Sequence, residues 1–286
     1  MDYGLPAREN GSMLNSQERQ LAYQKAYLPE HIPDYVEAIS GAGPFLHEGH
    51  LCFLRTGHMI FVGYPLSDES DKTPEAYESA CRRFRPFTTA IIAPRLWVKA
   101  TQLNGLIEDT YYTLELPMAP LRADLAYMIR RAGRELRVFE GTFGEDHARL
   151  VRSFLAERKL DPGHQEIFEK IPEYLARSST ALVLEARRGD QLVAFNIVDL
   201  GSADYCFYLF NFRSLETRVP GACDLLFYEM ARLAEAGKKR NMNLGLGINS
   251  GVRRFKEKWG AVPSLPYVSA SVRRRRMGIF SLINKY

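Results

Sequence analysis

The chain has 286 residues, of which 46% are hydrophobic and 25% are charged, and its formal net charge is +4. This composition excludes a disordered chain, and the length allows two folded units of about 140 residues each. No stretch approaches the roughly 20 apolar residues that span a bilayer, and the polar residues 1–12 do not resemble a secretory signal. We therefore expect a cytoplasmic protein, with peripheral contact at the inner membrane surface as an alternative.

In the first half, hydrophobic periodicity predicts helices and strands in mixed order. The predicted helices cover 16–27, 32–39, 74–83 and 121–132, and the predicted strands cover 51–54, 59–63, 89–93, 110–116 and 135–139. Residues 55–58 are expected to turn the hairpin between the first two of these strands.

The second half has a clearer order of elements. Helices are predicted at 146–158 and 164–176, followed by strands 181–187, 191–200 and 205–212, helix 222–236, strand 242–246, helix 252–259 and strand 267–272. Two helices, an antiparallel meander and then alternating helices and strands indicate an α+β fold.

The cysteines and the basic runs suggest what the chain binds. Cys52, Cys81, Cys206 and Cys223 form no C-x-x-C motif and stand in apolar or amphipathic settings, which predicts buried thiols and no metal site. Short runs of Lys and Arg occur at 82–85, 130–131, 238–240, 253–256 and 273–276. Such runs favour an anionic substrate or an anionic membrane surface, although a solvated face is the alternative.

Residues 241–260 combine a strand, a glycine turn and a short basic helix. Gly245 and Gly251 permit tight turns and close backbone approach, and a helix start presents free N–H groups to anions. With Arg254 and Lys256 on the helix, this segment predicts a seat for a donor that carries phosphate.

The same segment resembles the closing motif, G-x-x-R-F-K-x-x-[FW]-G, of Fem-type peptidyltransferases and of the C-terminal domain of phosphatidylglycerol lysyltransferases. The residues that fit the motif are Gly251, Arg254, Phe255, Lys256, Trp259 and Gly260. The resemblance implies an α+β (α/β) fold of two tandem acyl-CoA N-acyltransferase (GNAT) units. Each unit would be a mixed, mostly antiparallel sheet flanked by helices, and the element order of the second half is that of a GNAT domain.

The helix near residue 130 resembles the junction between the two units of the Fem group. Ile129, Arg130 and Ala132 match the I-R-x-A core of that junction. The resemblance therefore implies an N-terminal unit in residues 1–134 and a C-terminal unit in residues 135–286 that carries the donor site. An ordinary helix with two exposed arginines is the alternative.

The resemblance also gives a role to the loop before helix 222–236. Acyl-CoA-binding GNAT domains carry an [RQ]-x-x-G-x-[GA] loop there, whose N–H groups hold the pyrophosphate. Arg218, Gly221 and Cys223 occupy the three positions, with Ala222 between the last two. Cys223 departs from the small residue of the pattern and Pro220 removes one N–H donor, so an ordinary helix start stays an alternative.

Acyl transfer to an amine requires loss of an amine proton and stabilisation of the charge that develops on the carbonyl oxygen. In the resembled families the lysine of R-F-K lies by the reaction centre, which implies that Lys256 stabilises this oxyanion or binds donor phosphate. In the strands, Glu185 is a candidate base and Tyr208 a candidate acid for a leaving thiolate. Further polar residues of these strands are Asn196, Asp199, Tyr205 and Asn211.

These observations together predict an N-acyltransferase. The donor would be an acyl-CoA, another acyl-thioester or an aminoacyl-tRNA, and the acceptor a small-molecule or lipid-linked amine, or a lipid or cell-wall group. The resemblance implies no metal and no DNA, whereas tRNA and an anionic membrane are candidate partners. The alternatives are a non-enzymatic ligand-binding protein with a GNAT-like shell, and a transferase whose arginine clusters form one face for tRNA or anionic lipid.

Overall fold

The computed structural model describes residues 13–67, 72–99, 103–158 and 162–273. Residues 1–12 and the arginines at 274–276 in the last basic run lie outside the described residues. The chain divides into two compact units. Unit 1 is formed by the described residues of Met1–Leu21, Gly41–Glu108 and Tyr267–Tyr286, and unit 2 by those of Ala22–Ser40 and Asp109–Pro266.

Helices and strands follow one another in mixed order along the described chain. The helices are α1 Ser16–Lys25, α2 Pro33–Ser40, α3 Thr73–Phe84, α4 Ala123–Glu135, α5 Glu145–Glu157, α6 Pro162–Glu169, α7 Ile171–Arg177, α8 Ala222–Ala236 and α9 Ser250–Lys258. The strands are β1 Gly43–His47, β2 His50–Arg55, β3 His58–Val62, β4 Thr88–Ala93, β5 Leu103–Glu115, β6 Arg137–Gly141, β7 Ala181–Arg188, β8 Gln191–Asp199, β9 Tyr205–Arg213, β10 Asn241–Leu246 and β11 Val262–Arg273. A single 3₁₀ turn, Pro29–His31, separates α1 from α2.

Unit 1 packs helix α3 on strands in the order β1-β2-β3-β4-β11. The β3–β4 pair is parallel and the other pairs are antiparallel. Strand β4 alternates between half-buried and buried residues, as a strand with one core-facing side does. Tyr77 and Cys81, one turn apart on α3, pack on Phe61 and Ile91 in its core.

Unit 2 contains the strand order β5-β10-β9-β8-β7-β6, with the first residues of β11 beside β5. Strands β7, β8 and β9 form an antiparallel meander, and β10 runs antiparallel to β5. Every residue of β8 from Leu192 to Asp199 is buried, because helices cover both sides of this central strand.

The two sides of the unit 2 sheet have separate cores. On one side, Ile129 of α4 and Phe227 of α8 pack with Trp259, which follows α9. On the other side, Val151 of α5 and Tyr174 of α7 pack with Phe195 and Phe207 of the strands. We call these the α8 face and the α5 face; the period of two along each strand assigns alternate side chains to them.

The structure confirms the α+β class and refines the predicted elements. The helix predicted at 164–176 is two helices, α6 and α7, because Pro172 lacks an N–H and stands in the first turn of α7. Strand β1 was not predicted, and the last strand begins at Val262 and not at residue 267. The predicted boundary between residues 134 and 135 separates two repeats of one fold. The compact units are defined by packing contacts, so they do not test this boundary, and it stays a prediction.

The four cysteines are thiols and do not form disulfides. Cys52, Cys81 and Cys206 are buried as predicted, but Cys223 is only half-buried because it lies in the first turn of α8. Within the described ranges, each helix is too short or too polar to cross a bilayer.

Candidate functional site

Strands β9 and β10 pair only at their beginnings. The parallel pairing joins Asn241–Asn243 to Tyr205–Phe207, although β9 continues to Arg213 and β10 continues to Leu246. At Gly245, whose φ is +72°, the register of β10 with β5 also shifts. Within the described residues the two strands therefore part after these pairs, and we call this place the β9/β10 opening.

Lys256 places its amine at the β10 side of this opening. The side chain leaves α9 and its Nζ donates a 2.6 Å hydrogen bond to the carbonyl oxygen of Leu246, the last residue of β10. The Nζ also lies 5.6 Å from the centroid of the Tyr112 ring, a cation–π distance. Lys256 is only 3% exposed, so it is not a solvent-facing lysine.

Burial changes the proton affinity of this amine. It lowers the pKa of Lys256 from its ordinary value of 10.5 to about 7, while the negative charge of Asp109 opposes the shift. An approaching anion favours the charged form in the same way that Asp109 does. The amine can therefore take up a proton when an anionic group binds, or stabilise negative charge that develops on a substrate oxygen.

The glycine segment next to Lys256 does not offer its amides to a ligand. Asn249 caps α9 by accepting 3.0 Å hydrogen bonds from the N–H groups of Gly251 and Val252. The Asp109 carboxylate accepts from the N–H groups of Gly247 at 3.1 Å and Ile248 at 2.7 Å. Side chains of the chain itself thus occupy four of the N–H donors at this helix start, and the anion seat stays a prediction.

Arg254, predicted to bind the donor, lies on the exposed side of α9. Its Nε donates a 3.3 Å hydrogen bond to the carbonyl oxygen of Ser250 within the same helix. Arg254 is two positions before Lys256 in sequence but lies on a different side of the helix, and its donor role stays a prediction.

The start of α8 has a different arrangement. Gly221 has φ +84°, and a Cβ built there would lie 2.6 Å from the carbonyl oxygen of Met128 on α4, so both conformation and space require glycine. Ala222 is buried below the turn, and Arg218 is exposed.

Two amides in the first turn of α8 are open. Among the described residues, the backbone N–H groups of Cys223 and Asp224 have no hydrogen-bond partner. Burial raises the pKa of the Cys223 thiol, and the nearby Arg213 and the Asn211 side chain oppose the shift. Donor binding by Arg218, Gly221, Ala222 and Cys223 stays a prediction.

Tyr208 lies on the α8 face at the β9 side of the opening. Its ring stacks on Phe255 of α9 at 6.5 Å and meets Phe227 of α8 edge-on at 5.7 Å. Burial raises the pKa of Tyr208 well above its ordinary value, so the phenol keeps its proton at neutral pH. The structure therefore brings Tyr208 to α9, the helix that carries Lys256.

Glu185 does not join this group. Its carboxylate faces α5, where one oxygen lies 3.1 Å from Nε2 of His147 and the other accepts from Arg187. A Cβ on Gly141 would overlap the same carboxylate at 1.7 Å, which shows how tightly β6 covers it. Since Glu185 lies on the α5 face and Tyr208 on the α8 face, the two predicted catalytic residues are separated by the sheet.

The sequence analysis did not identify Asn249 and Asp109, whose side chains accept hydrogen bonds from the amides of the glycine segment. Asn249 carried a usable signal, because Asn is a preferred residue immediately before a helix. No sequence pattern marked Asp109, because it is separated by 138 positions of sequence from Gly247, whose amide donates to it. Only the pairing of β5 with β10 brings the two together.

The fold is shared with solved structures of low sequence similarity. A scan against protein-family models and a search of curated proteins find no match. Among solved structures, L-PGS from Bacillus licheniformis matches with a TM-score of 0.60 and 15% identity, over 96% of this chain and 97% of that chain. The C-terminal domain (DUF2156) of a protein assigned as a lysylphosphatidylglycerol synthetase, from Agrobacterium fabrum, matches with a TM-score of 0.58 and 13% identity, over 94% and 96%.

A third similar structure is that of FemX, with a TM-score of 0.59 and 11% identity, over 90% of this chain and 96% of that chain. Identities this low show a common fold. The chain therefore has the GNAT-like fold expected from residues 251–260, and the resemblance to the lysylphosphatidylglycerol synthetase and Fem groups is confirmed.

Proposed function

We propose that this chain is an N-acyltransferase that passes an acyl or aminoacyl group from an activated carrier to an amine. The observation that carries the proposal is the buried amine of Lys256, held on the Leu246 carbonyl oxygen at the β9/β10 opening. The similarity in fold to L-PGS and FemX supports it.

The residues at the opening suit the needs of acyl transfer. Protonated Lys256 stabilises the oxyanion that forms when the acceptor amine adds to the acyl carbonyl, or it binds phosphate of the donor. Tyr208, kept protonated by burial, supplies a proton to the leaving group. The open amides of Cys223 and Asp224 at the start of α8 receive an anionic part of the carrier.

The carrier is an acyl-CoA, another acyl-thioester or an aminoacyl-tRNA, and the acceptor is a small-molecule or lipid-linked amine.

The first arm of the test is a thermal-shift panel with acetyl-CoA, longer acyl-CoAs and aminoacyl-tRNA, since a ligand that binds the folded state raises its melting temperature. Salt then separates the carriers, because binding that depends on many phosphate contacts weakens steeply with ionic strength.

The second arm compares transfer by the wild type with transfer by Lys256→Met, which removes the charge and keeps most of the stem. We expect the variant to lose about 100-fold or more of the transfer rate, as sites do when one oxyanion donor is removed. The matched control is Lys25→Met, which changes an exposed lysine at the end of α1 and should retain the wild-type rate. Equal rates for Lys256→Met and the wild type would contradict the role of Lys256.

One observation favours a second candidate, a non-enzymatic ligand-binding protein. Asp109 and Asn249 occupy the amides of the glycine segment, so part of the expected donor seat is closed. This candidate predicts a thermal shift with a donor and no transfer to any amine. Transfer in the wild type excludes it.

A further inference from the structure

The N-terminal segment of unit 2 is fastened to β10 at the edge of the β9/β10 opening. The Asn243 side chain donates a 2.8 Å hydrogen bond to the carbonyl oxygen of Tyr27, just before the 3₁₀ turn Pro29–His31. Asn243 is also the last residue of β10 that pairs with β9, opposite Phe207. The 3₁₀ turn therefore begins beside the point where the two strands part.

Glu30 of this turn reaches β5 a little further along the opening. The hydroxyl of Tyr111 donates a 2.8 Å hydrogen bond to Oε2 of Glu30. Tyr111 is the register partner of Leu246, and the carbonyl oxygen of Leu246 holds the amine of Lys256. Glu30 and Lys256 thus attach to the same cross-strand pair.

The two attachments lie on opposite faces of the sheet. Tyr111 and Tyr112 are neighbours on β5, so their side chains point to opposite sides. The Tyr112 ring lies near Lys256 Nζ on the α8 face, and the Tyr111 hydroxyl holds Glu30 on the α5 face. Next to the β9/β10 opening, the β5–β10 pair therefore has the Lys256 amine attached on one face and the Glu30 carboxylate attached on the other.

We propose that Glu30 is the general base that takes the proton from the acceptor amine, with Tyr111 as the residue that positions its carboxylate. This inference rests on the proposed acyl transfer and assigns the base that Glu185, held by His147 and Arg187 on another part of the sheet, does not supply. Glu30 is half-buried as a residue, and the Tyr111 hydroxyl occupies one acceptor position of its carboxylate, which has further lone pairs for a proton.

The transfer step is then balanced as follows. The acceptor ammonium gives one proton to the Glu30 carboxylate, and the freed nitrogen lone pair forms a C–N bond to the acyl carbon. The bond from that carbon to the sulfur or oxygen of the carrier breaks, and its electron pair leaves with the carrier. Tyr208 gives its proton to that leaving atom, and the second amine proton restores the Tyr208 hydroxyl. Burial raises the pKa of Glu30, which brings a carboxylate closer to the proton affinity that a base needs.

The test compares two acceptors with the donor that supports transfer in the wild type, whether acetyl-CoA, a longer acyl-CoA or aminoacyl-tRNA. A primary alkylamine is protonated at neutral pH and needs a base, whereas hydroxylamine is already unprotonated and does not. We expect Glu30→Gln to lower alkylamine transfer by about 100-fold or more and to leave hydroxylamine transfer within about threefold of the wild type. Tyr111→Phe should give a smaller loss with the same selectivity.

The control variant is Glu37→Gln, which changes a carboxylate of the adjacent helix α2 that pairs with Arg177. It should keep both transfers. If Glu30→Gln loses alkylamine and hydroxylamine transfer equally, Glu30 has a structural role and the inference is overturned. A wild-type rate of alkylamine transfer in Glu30→Gln also overturns it. If the wild type transfers to neither acceptor from any donor, the proposed function itself fails, and the two failures are thereby distinguished.

Discussion

Lys256 differs from a surface lysine in what surrounds its amine. Its only hydrogen-bond acceptor among the described residues is the neutral Leu246 carbonyl oxygen, and burial removes the water that stabilises the charge. The folded protein therefore binds this proton less tightly than the unfolded chain does. Stability is linked to pH through that difference, and its sign follows from the lowered pKa.

Between the folded pKa of about 7 and the ordinary value of 10.5, the unfolded chain holds the Lys256 proton and the folded protein releases it. The free energy of unfolding should therefore rise with pH across this window. We expect the wild type to gain about 2 kcal/mol between pH 7 and pH 9 relative to Lys256→Met. Urea unfolding of both proteins at the two pH values measures this difference, and parallel pH profiles would show that the amine titrates normally.

At the residue scale, local motifs and tertiary packing bear differently on the predicted site residues. Lys256 was predicted from a local motif, and its burial agrees with a role beyond solvation. Glu185 was chosen because it is a carboxylate in a strand, but its partners His147 and Arg187 are set by the packing of α5 on β7. Glu30 lies in a short turn far from the motif, so no local pattern marked it.

At the scale of elements, the start of α8 depends on one glycine. Gly221→Ala should destabilise the protein by about 1 kcal/mol or more, because alanine resists a φ of +84° and its Cβ would meet the Met128 carbonyl oxygen. Gly133→Ala is the matched control, since it lies within α4 with nothing within 4 Å of the added Cβ.

The control should be stabilised by about 0.5–1 kcal/mol, because alanine favours a helix interior over glycine. Urea unfolding midpoints of the two variants and the wild type test both effects. A neutral Gly221→Ala variant would show that the turn before α8 adapts, and would remove the structural argument for glycine there.

Most elements were accessible from the sequence because each has a local cause. Hydrophobic periodicity located α8, whose bounds Ala222–Ala236 agree with the prediction, and located the meander of β7, β8 and β9. The first and last residues of helices and strands were harder to predict from the sequence, because they depend on capping residues and on neighbouring elements. The start of β11 at Val262 depends on β5, where Ser264 bonds to Tyr111 and Thr113.

At the scale of the whole molecule, Asp109 connects β5 to the glycine segment before α9. Asp109→Ala removes the acceptor for the Ile248 amide and one of two acceptors for the Gly247 amide, which also donates to the Thr110 carbonyl oxygen. We expect a loss of about 1–3 kcal/mol in the free energy of unfolding. The variant should also lower the pKa of Lys256 further, because Asp109 is the charge that opposes the effect of burial.

The neighbouring Glu108→Ala changes an exposed carboxylate and should alter stability by no more than about 0.5 kcal/mol. Urea unfolding compares the two variants. Equal stability of Asp109→Ala and Glu108→Ala would contradict the proposed closure of the glycine segment by Asp109.

The amino-acid sequence alone determined the α+β class, the positions of most helices and strands, and the resemblance carried by residues 251–260. These depend on periodicity, turn residues and short motifs, which act between residues close together in the chain. The tertiary structure decided which groups share a site. It brought Asp109 to Gly247, placed Glu30 and Lys256 on opposite faces of one strand pair, and separated Glu185 from Tyr208. Strand pairing and burial set these distances, and both depend on contacts between residues far apart in sequence.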